Sequence, residues 1–234
     1  MLKKPSVSIL IASFNKEKYV KRCLNSCLKQ DYKNLEVIFY DDGSKDNSYN
    51  IAKKLSEHNQ NIYLYKTNKE KGKGVALSHA KELITTSHVV IHDADLEYFP
   101  DDIIEMFDLS KKNPNSLILG SRFIGNKERK NVYFRTSVAN RIMSLFLSFV
   151  NFYYISDVAS CYKLMPAKFF ISQKFKESGF SIEIEILAKF LKYNRSVIEV
   201  PIKYEGRSYK EGKKIKTIDG FNYLLSTLKY RLIN

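Results

Sequence analysis

Three acidic residues occupy alternate positions in the segment Asp93-Ala94-Asp95-Leu96-Glu97. The segment directly follows His88–His92, whose central β-branched residues are typical of a buried strand. Carboxylates grouped in this way are hard oxygen ligands, which suit Mg²⁺ or Mn²⁺. An isolated Asp-x-Asp is usually a solvated turn, but its position at the end of a buried strand favours a binding site. We therefore expect Asp93, Asp95 and Glu97 to hold a divalent metal ion that carries a diphosphate.

Basic residues that could bind the same diphosphate occur at three points of the sequence. Lys73 stands between two glycines at the expected start of a helix, whose backbone amides could also approach a phosphate. Arg122 and Arg207 each follow a predicted strand, and a planar guanidinium can bind phosphate through two hydrogen bonds. Neither a dinucleotide fingerprint nor a Walker lysine motif is present. We expect all three side chains to contact phosphate.

A second acidic segment, Asp41-Asp42-Gly43, follows the predicted strand Glu36–Tyr40. A carboxylate at a strand exit can accept hydrogen bonds from a ribose or from a base N–H. Asp46 is expected instead to cap the helix that begins at Ser48. We therefore expect Asp42, and not Asp46, to contact a nucleotide.

The histidines and cysteines do not predict a metal site. His88 and His92 lie about 13 Å apart along one face of a strand, which is too far to share an ion. Cys23 and Cys27 share one face of the first helix, where we expect small buried apolar side chains. The chain has three cysteines in all, and an odd number in a long chain is typical of reduced thiols in the cytosol.

The elements that must position these residues alternate along the first half of the chain. Short apolar runs with strand character are separated by segments with helical spacing, which is the βαβ pattern of a parallel sheet covered on both faces. Ligands bind such sheets beyond the carboxyl ends of the strands. The predicted strands are Val7–Ala12, Glu36–Tyr40, Ile62–Tyr65, His88–His92 and Leu117–Leu119.

The second half predicts helices at 132–154, 182–192 and 218–232, with strands Cys161–Met165 and Val197–Lys203. The apolar stretch 142–155 is either a buried or dimer-forming helix, or an interfacial helix that inserts beside a lipid acceptor. The apolar residues of the last helix, which begin at Phe221, are expected to pack against the domain. No apolar segment is long enough and uninterrupted enough to predict a signal peptide or a membrane span.

The chain has 234 residues, of which 44% are hydrophobic, and a formal net charge of +14. This size and composition predict a single folded domain. The charge favours a nucleic acid, a phosphorylated small molecule or an acidic membrane surface as partner. The sequence lacks the motifs of nucleic-acid-binding folds, and its strand-end carboxylates would repel a polyphosphate. We therefore expect no nucleic acid partner.

In chain order these motifs resemble those of family 2 inverting glycosyltransferases with the GT-A fold. More narrowly, they resemble those of dolichyl-phosphate mannose synthase and related polyprenyl-phosphate glycosyltransferases. The resemblance covers nearly the whole chain, and several motifs in register are a specific signal. The motifs are Val7–Asn15, Asp41–Ser44, Lys71–Gly74, Asp93–Asp95, Gly120–Arg122, Ser156–Lys163, Glu183–Glu185, Glu199–Ile202 and Arg207–Lys214.

The resemblance implies a single α/β domain, 1–234, with a Rossmann-like, mostly parallel sheet flanked by helices. Residues 1–122 would form the nucleotide-sugar-binding half and 123–234 the acceptor-side half. Phe14, Asn15 and Asp42 would line the nucleotide pocket, and Asp93 and Asp95, helped by Glu97, would hold the metal and diphosphate. The residues implied to act on phosphate or acceptor are Arg122, Arg135, Arg207 and Asp157.

The implied reaction transfers a hexose, with inversion, from a GDP- or UDP-linked donor to a polyprenyl phosphate. Mg²⁺ or Mn²⁺ would stabilise the departing diphosphate, with Asp95 in the catalytic centre. If the acceptor is a sugar hydroxyl instead, Asp157 is the candidate general base. A sugar-phosphate nucleotidyltransferase is less favoured, because its glycine-rich amino-terminal signature is absent. We expect a cytoplasmic protein, peripheral at an anionic membrane, whose candidate protein partners are a second copy of itself and a membrane subunit.

Overall fold

The computed structural model describes residues 6–30, 34–207 and 217–232. Its strands are β1 (Val7–Ser13), β2 (Leu35–Asp41), β3 (Ile62–Lys66), β4 (His88–Asp93), β5 (Leu117–Ser121), β6 (Arg129–Lys130), β7 (Lys163–Pro166), β8 (Val197–Pro201) and β9 (Tyr204–Glu205). Seven of them form one sheet in the order β3-β2-β1-β4-β7-β5-β8, and β6 pairs with β9 in a second, two-stranded sheet.

Eight α-helices are described. They are α1 (Glu17–Leu28), α2 (Ser48–Ser56), α3 (Lys73–Ala80), α4 (Asp101–Lys112), α5 (Phe134–Asn151), α6 (Ala167–Ser172), α7 (Ile182–Tyr193) and α8 (Thr217–Leu232). Alternate residues of a strand face opposite sides of the sheet. Ile9 and Ile11 pack with α1, α2 and α4 on one side, and Leu10 packs with α3 and α5–α8 on the other. Both faces of the sheet are therefore covered, as the apolar strands predicted.

The sheet is mostly parallel, which confirms the expected fold class. β1 pairs in parallel with β2 and β4, and β5 pairs in parallel with β8. β7 is antiparallel to both β4 and β5. The chain reaches β7 from the carboxyl edge of the sheet, where Asp157 contacts the backbone N–H of Arg122 just beyond β5. From that edge the next strand can only run in the opposite direction.

The predicted strands of the first half are confirmed to within two residues. The helix predicted at 132–154 is shorter in the structure, where it is α5 (Phe134–Asn151). Phe152 has a left-handed backbone conformation (φ 49°) that ends it. The short helix α6 and the strands β6 and β9 were not predicted, since elements of this length carry almost no periodicity. The division into 1–122 and 123–234 stays a prediction, and the main sheet takes strands from both parts.

The last helix packs against the domain as expected, but mostly through residues other than those predicted. α8 buries Tyr223 and Tyr230 and packs Leu224 against the core, whereas the other large apolar residues described on it are exposed. The side chains of Phe221, Leu225 and Leu232 are 58%, 51% and 79% exposed. The apolar stripe of α8 therefore lies on the surface beside α5, which packs against α8.

Among the residues that the structure describes, no helix has both the length and the hydropathy needed to cross a membrane.

Candidate active site

A cavity of about 330 Å³ opens at the carboxyl ends of β1, β2 and β4. Ser13 ends β1, Asp42 follows β2 and Asp93 ends β4, so three strand ends contribute to one wall. This position is the one that a mostly parallel sheet provides for a ligand. The charged residues that line the cavity are Lys16, Asp42, Glu70, Lys73, Asp93, Asp95, Glu97, Arg122, Glu183 and Arg207.

The acidic turn, residues 93–97, is held by Arg207. The Arg207 Nη2 lies 2.6 Å from Asp95 Oδ2, and its Nε lies 3.0 Å from Glu97 Oε1. The Tyr204 hydroxyl donates to the other Glu97 oxygen at 2.7 Å. Leu96 adopts a left-handed conformation (φ 64°) within this turn. Arg207, which we expected on phosphate, thus contacts the carboxylates of the turn instead.

Asp93 belongs to a line of alternating charges that runs into the core. Lys73 Nζ lies 2.7 Å from Asp93 Oδ1 and 2.8 Å from Glu183 Oε1. The fully buried Lys163 lies 2.6 Å from the other oxygen of Glu183. Burial opposes ionisation of Asp93, but the Lys73 ammonium outweighs it and lowers the pKa of Asp93. Lys73 therefore lines the cavity as expected, with its charge directed at a carboxylate.

Asp95 differs electrostatically from Asp93. Burial, followed by repulsion from Asp93 and Glu97, raises the pKa of Asp95 to about 6, although Arg207 acts against the rise. The two neighbouring carboxyls therefore have pKa values displaced in opposite directions. Such displacements are common where a protein arranges charge for a ligand.

The donor set of the acidic turn fits a hard divalent cation. Its oxygen ligands match Mg²⁺ or Mn²⁺, and the raised pKa of Asp95 reflects its burial and then the negative charge of Asp93 and Glu97, which the Arg207 guanidinium only partly balances. Within the described ranges, the carboxylates of Asp93, Asp95 and Glu97 do not all lie within 4.8 Å of one another. One or two of them would hold an ion, and substrate phosphates would complete its coordination. Glu97 accepts hydrogen bonds from Tyr204 and Arg207, and its place as a third ligand stays a prediction.

The expectation that Asp157 is a general base is not supported by its surroundings. Asp157 is fully buried and does not line the cavity. Its Oδ2 accepts from Arg122 Nε at 2.7 Å, and its Oδ1 accepts from Arg122 Nη2 at 2.8 Å. Both Asp157 oxygens thus accept hydrogen bonds from the Arg122 guanidinium. Arg122 itself lines the cavity, as its position at a strand end predicted. Asp157 therefore fixes the orientation of the Arg122 guanidinium at the cavity wall.

Of the three residues expected in a nucleotide pocket, two line the cavity and one does not. Phe14 and Asp42 line the cavity. The Asp42 carboxylate accepts backbone N–H groups of Lys71 at 3.1 Å and Gly72 at 2.7 Å, so it also fixes the segment that leads into α3. Asn15 does not line the cavity, because its side chain accepts the N–H of Lys45 at 2.9 Å. Asn15 therefore joins two strand-end loops.

Arg135 is exposed in the first turn of α5 and does not line the cavity. Among the lining residues that sequence reasoning missed are Lys16, Tyr98, Glu183 and Tyr204. Of these, only Glu183 carried a signal, as part of the Glu183–Glu185 motif. The Tyr204 ring lies 5.0 Å from the Arg122 guanidinium carbon and adds a cation–π contact.

Comparison with known proteins gives a match to one family model. The model described as "Glycosyl transferase family 2" matches residues 8–172. This range begins at the second residue of β1, extends past β7 and contains the whole acidic turn.

Two relatives illustrate the similarity in sequence. A protein of Methanococcus voltae named UDP-N-acetylglucosamine–dolichyl-phosphate N-acetylglucosaminyltransferase is 29% identical over 243 residues, which cover 95% of this chain and 96% of the relative. An uncharacterised glycosyltransferase of Rickettsia conorii is 32% identical over 167 residues, covering 70% of this chain and 27% of the relative.

The solved structures show likeness in fold. Glucosyl-3-phosphoglycerate synthase of Mycobacterium tuberculosis, crystallised with Mn²⁺, UDP and glucosyl-3-phosphoglycerate, superposes with a TM-score of 0.73 at 16% identity. The match covers 97% of this chain and 80% of that one. The same enzyme with UDP alone gives a TM-score of 0.75 at 14% identity. The expected GT-A architecture is thereby confirmed.

Proposed function

This chain belongs to glycosyl transferase family 2, and on that premise we propose that it transfers a hexose from a nucleotide-sugar to a polyprenyl phosphate at a membrane surface. It is a transferase enzyme. The observation that carries the proposal is the cavity in which the carboxylates of Asp93 and Asp95 face the cationic side chains of Lys73, Arg122 and Arg207. A nucleoside diphosphate with a divalent ion has the alternating charges that this wall requires.

The donor side of the proposal rests on the ends of β1, β2 and β4. Phe14 and Asp42 line the cavity and would contact the base and ribose, and Asp95 with Asp93 would hold Mg²⁺ or Mn²⁺ on the diphosphate. When bound, the metal supplies a Lewis acid for the charge on the departing nucleotide. The solved relative that holds both UDP and Mn²⁺ supports this assignment.

The acceptor side rests on Arg122 and Asp157. A phosphate monoester has a second pKa of about 6 and is largely a dianion at neutral pH, so it can attack C1 of the sugar without a general base. A sugar hydroxyl would need one, and Asp157 is occupied by Arg122. A phosphate acceptor fits better, and the dolichyl-phosphate transferase among the relatives supports it.

A transfer assay tests the proposal. We expect the purified chain, given a GDP- or UDP-sugar, Mn²⁺ and a polyprenyl phosphate in detergent, to form a sugar-linked lipid, and we expect EDTA to stop the reaction. The matched control acceptor is the corresponding polyprenol, which lacks the phosphate. Transfer to a glycan hydroxyl but not to the lipid phosphate would contradict the proposal.

The membrane surface is proposed from the outer face of α5 and α8. Large apolar side chains are exposed there. The chain also carries a net charge of +14, which attracts anionic lipid. Exposed apolar patches of this kind usually meet a partner or a membrane. The members of this apolar face are Phe134, Val138, Ile142, Leu145, Phe149, Phe152, Phe221, Leu225, Leu228 and Leu232.

Liposome flotation measures this contact. We expect Ile142→Ser/Leu145→Ser/Phe149→Ser to lower binding to anionic vesicles at least about 10-fold, because a large apolar side chain contributes about 1.5–3 kcal/mol when it is fully removed from water. Tyr63→Ser, on the edge strand β3, is a matched control, since Tyr63 is 46% exposed outside the apolar face. Unchanged binding of the triple variant would remove the apolar face from the proposal.

A further inference from the structure

Cys23, Cys27 and His92 meet in the interior on the side of the sheet that α1 covers. The two cysteines lie one helical turn apart on the buried face of α1, and His92 lies in β4. All three side chains are fully buried. One ligand atom of each residue lies within 4.8 Å of those of the other two. The fold thus brings together a cysteine pair and a histidine whose spacing in the sequence did not predict a contact.

The two nitrogens of the His92 ring have different surroundings. Nδ1 lies 3.0 Å from the Tyr162 hydroxyl. Nε2 is buried without a nitrogen or oxygen partner within the described part of the chain, and the Cys23 thiol interacts with the His92 ring. A buried ring nitrogen that no nitrogen or oxygen satisfies is available to coordinate a metal. When Nδ1–H donates to the Tyr162 hydroxyl, Nε2 is the unprotonated nitrogen and can coordinate a metal.

We propose that Cys23, Cys27 and His92 form a binding site for a thiophilic divalent cation of the zinc class. Thiolate and imidazole are the ligands that Zn²⁺ prefers. The ion would displace one proton from each thiol to solvent, so the buried complex of two thiolates, one imidazole and Zn²⁺ carries no net charge. Bonds of about 2.0–2.3 Å place tetrahedral ligands about 3.4–3.8 Å apart, so ligand atoms that lie within 4.8 Å of one another need to close by no more than roughly 1.4 Å to bind one ion.

This site is chemically separate from the acidic turn and does not rest on the proposed function. The acidic turn offers hard oxygen ligands, whereas the cysteine–histidine site offers sulfur and nitrogen. Three protein ligands leave a fourth position of the zinc for water. Because His92 directly precedes Asp93, a bound ion would link the end of β4 to α1, next to the cavity that Asp93 lines. Its expected role is structural.

Metal analysis of the full chain tests the site. We expect protein expressed in zinc-supplemented medium and dialysed into buffer with Mg²⁺ to retain about one zinc per chain. Protein expressed with Co²⁺ should show thiolate-to-cobalt charge-transfer absorption in the near ultraviolet. This readout needs no variant, so it does not depend on whether a substitution folds. A wild-type chain with neither zinc nor this absorption would overturn the proposal.

Variants identify the ligands. Cys27→Ser and His92→Gln should each lower the retained zinc at least about 10-fold, with circular dichroism reporting that the fold persists. Cys161→Ser is the matched control, because Cys161 is also a buried free cysteine but lies outside the group. Asp95→Asn should likewise keep its zinc, since the acidic turn is a different site. Equal zinc content in the Cys27→Ser and wild-type chains would also overturn the assignment.

Discussion

Replacing Asp95 by Asn is expected to lower the rate of sugar transfer on the order of 10³-fold while making the metal-free protein more stable. The loss of rate follows from the proposed role of Asp95 in holding the ion that stabilises the departing diphosphate, since removing one such electrostatic contact usually lowers kcat about 10²–10³-fold. The gain in stability follows from the charge of the acidic turn. Function and stability thus oppose each other at this residue.

The sign of the stability change comes from the pKa of Asp95. Burial and repulsion from Asp93 and Glu97 raise it from 3.8 to about 6, so the folded protein binds this proton more tightly than the unfolded chain. A rise of this size corresponds to about 3 kcal/mol of unfavourable free energy when the group is ionised. The ionised group therefore destabilises the fold above pH 6, and the penalty disappears as the pH falls towards 4.

Thermal unfolding in EDTA measures this effect. At pH 7.5, Asp95→Asn should raise Tm by roughly 2–6 °C, and the gain over wild type should shrink as the pH is lowered from 6 to 4. Asp108→Asn is a matched control, because Asp108 lies on α4 with its side chain 59% exposed and forms a surface ion pair with Lys111. A fall in Tm for Asp95→Asn would show that the pairing with Arg207 outweighs the repulsion.

Replacing Arg122 by Met is expected to lower the free energy of unfolding by about 3–5 kcal/mol, because it leaves the fully buried Asp157 without its cation. The double variant Arg122→Met/Asp157→Leu removes both charges and should recover much of this loss. Arg22→Met is the control, since Arg22 is exposed on α1. Urea unfolding measures all three, and a loss below about 1 kcal/mol in Arg122→Met would contradict the buried pair.

The same pair separates the two roles considered for Asp157. If Asp157 positions Arg122, then Asp157→Asn should lower transfer to phosphate and hydroxyl acceptors by similar factors, because Arg122 is misplaced in both reactions. A general base would be needed for the hydroxyl acceptor alone. Selective loss of hydroxyl transfer would therefore restore the base assignment and favour the glycan acceptor.

Much of the fold was predictable because the information is local. The β-branched runs of β1, β2 and β4 appear in the sequence as continuous apolar segments, and the acidic turn follows β4 directly. The rule that ligands bind at the carboxyl ends of parallel strands then placed Asp42, Asp93 and Asp95 on one cavity wall. The antiparallel direction of β7 was not predictable, since a short apolar strand carries no signal for its direction.

The sequence by itself determined the fold class, the family resemblance and the strand ends at which the charged residues gather. Only the tertiary structure decided which charges pair: Asp157 with Arg122, Asp95 with Arg207, and Asp93 with Lys73. It also brought His92 to Cys23 and Cys27. Periodicity and spacing report on neighbours along one helix or strand, whereas these contacts join residues from different elements. Their partners are set by how the sheet, the helices and the loops pack together.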